Sequence, residues 1–165
     1  MMSSPPPLPA PGRTPPVVDA GRLWAGGAAT ALVAGLVAMV GVLIFEGVFD
    51  LAMVEPPLLP IGDSFAVRYA VTAALLALVA TAVAHLLAVS TPRPRAFFSW
   101  LVGLATLAGV VLPFALDGTL GGRVATSLVN LVIGLCVLSL LSSVLSRTIR
   151  RRGPDYPPNY PPTRY

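Results

Sequence analysis

The run WAGGAATALVAGLVAMVGVLIF, residues 24 to 45, contains no charged side chain and is long enough to cross a bilayer as one helix. A bilayer core of about 30 Å needs roughly 20 apolar residues in a helix, because each residue adds only about 1.5 Å and lipid offers no partner to exposed backbone. Three further stretches meet that length, at about residues 65–89, 97–116 and 124–145, each bounded by charge, Pro or Gly. The first could be confused with a cleaved signal peptide. Its apolar run is too long for one, and the Pro-rich segment before it holds only Arg13 and Arg22, so it reads as an uncleaved span.

Composition agrees with this reading. The chain is 55% hydrophobic and 11% charged, against about 25% charged residues in a soluble domain. The expected architecture is an all-α membrane protein: a four-transmembrane-helix antiparallel bundle over residues 23–146, between disordered tails at 1–22 and 147–165. All 11 basic residues are Arg. The lack of Lys, with abundant Ala, Gly, Val and Leu, has the look of a GC-rich bacterial genome. A net charge of +4 could point to nucleic acid, but most of the Arg residues sit beside apolar runs, which is the placement of membrane orientation signals.

Arg13, Arg22, Arg93, Arg95, Arg147, Arg150, Arg151, Arg152 and Arg164 fall on one side of the four spans, and only Arg68 and Arg123 on the other. The second side also holds Glu46, Asp50, Glu55, Asp63 and Asp117. The positive-inside rule therefore places both termini and the Arg93 turn in the cytoplasm of a multi-pass protein of the cell membrane. Residues 3–16, rich in Pro, form an extended tail that cannot bury a core. The Tyr156–Pro162 stretch is similar, and its Pro-Pro-Asn-Tyr formally matches a ligand of Pro-binding modules. The loop from Glu46 to Ser64, stiffened by Pro56, Pro57 and Pro60, is expected to lie on the outer interface through Leu51, Met53, Val54, Leu58 and Leu59.

Small residues recur at steps of four and three in the first two spans: Gly27, Ala31, Ala34, Ala38 and Gly41, then Ala70, Ala73, Ala77, Ala80 and Ala84. Such seams let helix backbones approach closely in lipid, where dispersion contact replaces the hydrophobic drive. Written antiparallel, Gly41 pairs with Ala70, Ala38 with Ala73, Ala34 with Ala77, Ala31 with Ala80 and Gly27 with Ala84.

Few polar side chains lie within the spans, and each is a candidate for function or packing. Arg68 either snorkels to the headgroups or pairs with Glu46, which sits at an adjoining helix end. His85 lies about one turn from the inner end of its helix, within reach of interfacial water, and no carboxylate at its depth would complete a proton relay. Asn130 is the deepest polar group, so it should face another helix. Its amide needs a polar side chain or a free carbonyl, such as that of Gly109, whose helical donor is removed by Pro113. Cys136 is the sole cysteine and reads as a small apolar side chain.

The sequence has no paired intramembrane carboxylates, no His-Glu-x-x-His motif, no Gly-rich phosphate loop and no Ser, His and Asp set. No catalytic, cofactor-binding or metal residues are assigned, and an enzyme is not expected. The run Thr91-Pro92-Arg93-Pro94-Arg95-Ala96-Phe97-Phe98-Ser99-Trp100, followed by Val110-Val111-Leu112-Pro113-Phe114 and Ala125 to Gly134, resembles an uncharacterised family of small actinobacterial four-helix membrane proteins. The resemblance covers about Leu23 to Ser146 and implies the architecture without an activity. The expected role is a non-catalytic structural or regulatory subunit that packs in the lipid bilayer with itself or another membrane protein. A small transporter or permeation subunit is the alternative, drawing on Asn130, Ser127, Thr126 and Glu46.

Overall fold

The computed structural model describes residues 17–55 and 61–150. Expectations for residues 1–16 and 151–165 of the tails, for Pro56, Pro57 and Pro60, and for Leu58 and Leu59 lie outside the described residues, whereas residues 17–22 and 147–150, expected within the disordered tails, belong to short strands and to the ends of the first and last helices. Four helices dominate: α1 (Ala20–Gly47), α2 (Phe65–Ser90), α3 (Pro94–Val111) and α4 (Leu120–Thr148). A 3-10 turn, Leu112–Ala115, continues α3. Two-residue strands, β1 (Val17–Val18) and β2 (Ile149–Arg150), pair antiparallel and tie the chain before α1 to the chain after α4.

Local chemistry fixes the helix ends. The Asp19 side chain caps α1 by accepting from the Arg22 N–H at 3.2 Å. Ser64 does the same for α2 through the Val67 N–H at 3.3 Å, which satisfies a donor that a helix start leaves orphaned. Pro94 occupies the first turn of α3, where its missing N–H costs nothing. All four helices are long and apolar enough to cross a membrane. Large apolar side chains such as Leu32, Leu43, Leu104 and Leu107 are exposed on their outer faces, as expected where the solvent is lipid. The chain is therefore read as a multi-pass membrane protein.

The helices do not pack evenly. The most extensive interface joins α1 to α2, followed by α1 with α4 and α3 with α4, while α2 and α3 meet only loosely. Ala31, Ala34, Ala38, Ala73, Ala77 and Ala84 are buried. The register nevertheless differs from the one expected from the seams. Gly27 lies against Thr81, and a Cβ on Gly35 would stand 3.2 Å from the Ala70 carbonyl. Gly41 is turned away from α2, so that its Cβ would come within 2.7 Å of Val129 Cγ2 on α4. The reason is that α1 lies between two helices and divides its small residues between them. Gly26 and Gly41 serve α4, whereas Gly27 and Gly35 serve α2.

The chain after α1 turns back onto the helix ends. Asp50 takes a left-handed φ of 53°, and the Leu51 N–H donates to the Phe45 carbonyl at 2.8 Å. Met53 and Val54 are then buried, in contrast to their expected place on the membrane interface. The Val54 N–H donates to Thr126 Oγ1 at 2.9 Å, and Gly122, being without a Cβ, lets the Ala52 carbonyl approach α4.

Candidate functional site

Because α2 and α3 diverge, a cleft of about 370 Å³ opens between them, with α4 as its floor. Its rim residues Leu76, Val79, Leu101 and Leu112 are exposed, so the cleft opens sideways, toward lipid in a membrane. Most of the wall is apolar, with Ala80 and Val83 on α2, Val102 and Ala105 on α3, and Ile133 and Val137 of α4 behind.

Polar groups cluster toward the end marked by Glu55. Tyr69 is buried, and its hydroxyl donates to Asn130 Oδ1 at 2.6 Å. Asn130 Nδ2 in turn donates to the Gly109 carbonyl at 2.7 Å. Pro113 has no N–H to offer that carbonyl, so one side chain on α4 joins α2 to α3 by occupying an acceptor that a proline leaves free. Ser127 adds a second tie, its hydroxyl donating to the Val110 carbonyl at 2.7 Å. The Thr126 hydroxyl donates to the Gly122 carbonyl at 2.8 Å while accepting from Val54. Thr72, Thr81 and Thr106 each donate to the carbonyl four residues before them, a local bond that uses the hydroxyl's one proton.

At the mouth of the cleft, Arg68 Nη2 lies 2.8 Å from Glu55 Oε1. Of the two readings of Arg68, the ion pair with Glu46 is not formed. Glu46 instead accepts from the Met53 N–H at 3.2 Å, because the turn at Asp50 carries Met53 over it and brings Glu55 to Arg68. Arg68 Nε is buried with no hydrogen-bond partner among the described residues, as are Arg123 Nε and His85 Nδ1. His85 lies at the other end of α2 and takes no part in the polar cluster. Cys136 is half-buried on α4. No group of three His, Cys, Asp or Glu side chains that could hold a metal occurs among the described residues.

Sequence reasoning did not single out Tyr69 as the partner of Asn130. The available signal was its hydroxyl, since a buried Tyr O–H nearly always finds a partner, and Asn130 was the deep polar group left to supply one. Glu55 was missed because pairing it with Arg68 depends on the path of the loop. No curated protein and no solved structure matches the chain. Residues 18–147 do match the model of a family of unknown function, DUF6069, and the chain belongs to that family.

Proposed function

We propose that the protein is a non-catalytic membrane subunit, structural or regulatory, that associates with itself or with another membrane protein in the cell membrane and keeps both termini in the cytoplasm. The observation that carries this reading is how the interior polar groups are used. The Tyr69 hydroxyl, the Asn130 amide and the Ser127 hydroxyl are all bonded to neighbouring helices, and the threonine hydroxyls to their own backbone. An active site needs convergent groups free to act on a substrate. Here those groups hold helices together, while the outer faces present apolar side chains to whatever surrounds them.

A small transporter or permeation subunit would use the same cleft, but it needs polar side chains free to line a path. The experiment is site-specific photocrosslinking in intact cells from Leu32 and Leu43 on α1 and from Leu104 and Leu107 on α3. A discrete protein adduct from one of these faces supports the subunit reading. Labelling of lipid alone from every face, together with a solute flux in vesicles holding only the purified chain, overturns it in favour of permeation.

A further inference from the structure

The cleft between α2 and α3 changes character along its length. At its mouth stands Glu55, whose Oε1 lies 2.8 Å from Nη2 of the neighbouring Arg68. One step deeper lies the Tyr69–Asn130 pair. Beyond it the lining is apolar from Leu76 to Val83 on α2. On the α3 side the polar lining group at that depth is the Thr106 hydroxyl, which is occupied by the Val102 carbonyl. Charge, then dipole, then hydrocarbon is the order of groups in a membrane phospholipid, from headgroup through ester to acyl chain.

The dimensions agree. Lining residues run from Tyr69 to Val83 on α2, about 20 Å at 1.5 Å per residue, which is about half of a bilayer some 40–45 Å thick with its headgroups. Spread over that length, the volume of about 370 Å³ forms a thread one hydrocarbon chain wide. A helix of about 10–12 Å diameter would need several times that space.

We propose that this cleft holds one zwitterionic glycerophospholipid with a primary amine in its headgroup, drawn from the leaflet on the Glu55 side, with one acyl chain seated between α2 and α3. The Glu55–Arg68 pair supplies the complementary charges. The lipid phosphate accepts from the Arg68 guanidinium, whose side chain is 28% exposed, and the lipid amine donates to the Glu55 carboxylate. Such charge-assisted bonds are stronger than neutral ones, and they fix the lipid at a depth where its chain lies along Val79, Val83 and Ala105. The exposed rim lets the lipid enter sideways without opening the fold. This site does not depend on whether the chain has a protein partner.

The test uses the full chain in phosphatidylcholine–phosphatidylethanolamine vesicles that carry traces of phosphatidylethanolamine with a diazirine in one acyl chain. After irradiation, labelled residues are mapped by mass spectrometry. Labelling at Val79, Val83 and Ala105 several-fold above that at the lipid-facing Leu32 and Leu43 is expected. Equal labelling at all five positions means only bulk lipid contact and overturns the site. Diacylglycerol with the same photoreactive chain but no phosphate should show no enrichment, and an equal enrichment overturns the headgroup assignment. Arg68→Gln should reduce the phospholipid enrichment several-fold while leaving labelling at Leu32 and Leu43 unchanged. If that variant does not fold, the wild-type comparison of the two lipids still decides. A cleft without lipid adducts, while Leu32 and Leu43 are labelled, overturns the proposal.

Discussion

Asn130 on α4 lies opposite the one α3 carbonyl that Pro113 deprives of its helical donor, and its amide nitrogen stands 2.7 Å from that Gly109 oxygen. A proline in a helix normally leaves a polar defect, which in lipid has no water to repair it. Here the defect becomes an anchor point for another helix. The same amide accepts from the Tyr69 hydroxyl at 2.6 Å, so α2, α3 and α4 meet at one side chain, at the height where α2 and α3 otherwise separate.

Removing the hydroxyl at the α2 end of this chain should loosen it. Tyr69→Phe keeps the ring and leaves Asn130 Oδ1 without its donor, at an expected cost of about 1 kcal/mol. Unfolding in detergent against increasing denaturant measures it. An unchanged midpoint would show that the bond contributes nothing to stability.

Small residues at the α1–α2 interface should tolerate no growth. Ala77 is fully buried, whereas Leu75 on the same helix is 37% exposed. Ala77→Leu should lower the unfolding temperature markedly by overpacking, at about 1–3 kcal/mol, and Leu75→Ile should be almost silent. Equal effects at the two positions would contradict this packing.

The spans were legible in the sequence because four apolar runs reach the length that a bilayer core requires. The Asn130–Gly109 bond was legible too, since Pro113 marks a free acceptor and a deep amide needs one. The helix register was not, because α1 carries small residues on several faces and their spacing does not say which face meets which helix. Gly41 illustrates this, lying against Val129 and not against Ala70. The Arg68 partner escaped for a different reason. It is set by a long-range bond, Val54 N–H to Thr126, which no local pattern announces. The cleft is a missing contact between two helices adjacent in the chain, and hydropathy carries no trace of it.

That long-range bond gives a third prediction. Thr126→Val keeps the shape of the side chain but leaves the Val54 N–H without an acceptor, so the loop should detach more often from the end of α4. Hydrogen exchange at the Val54 amide should speed up while amides in the middle of α1 keep their protection. Uniform acceleration across the protein would point instead to global destabilisation.

Orientation is tested by reporter fusions. Fusions after Arg95 and after Arg152 should report a cytoplasmic location, and fusions near Glu55 and Gly118 an external one, as the distribution of Arg requires. A cytoplasmic signal at Glu55 would overturn the orientation.

If the interior polar residues tie helices together, a double-mutant cycle between Asn130 and Pro113 will show it. Asn130→Leu alone should cost about 1 kcal/mol, because helices unfolded within a membrane also find polar partners. In a Pro113→Ala background the new N–H at position 113 can satisfy the Gly109 carbonyl, and the cost of Asn130→Leu should fall, giving a measurable coupling between the two sites. That coupling is expected, with any cellular role of the protein following the amount of folded protein in each variant. Strictly additive effects, or loss of that role in an Asn130→Leu protein of unchanged stability, would contradict it and mark Asn130 as a functional residue.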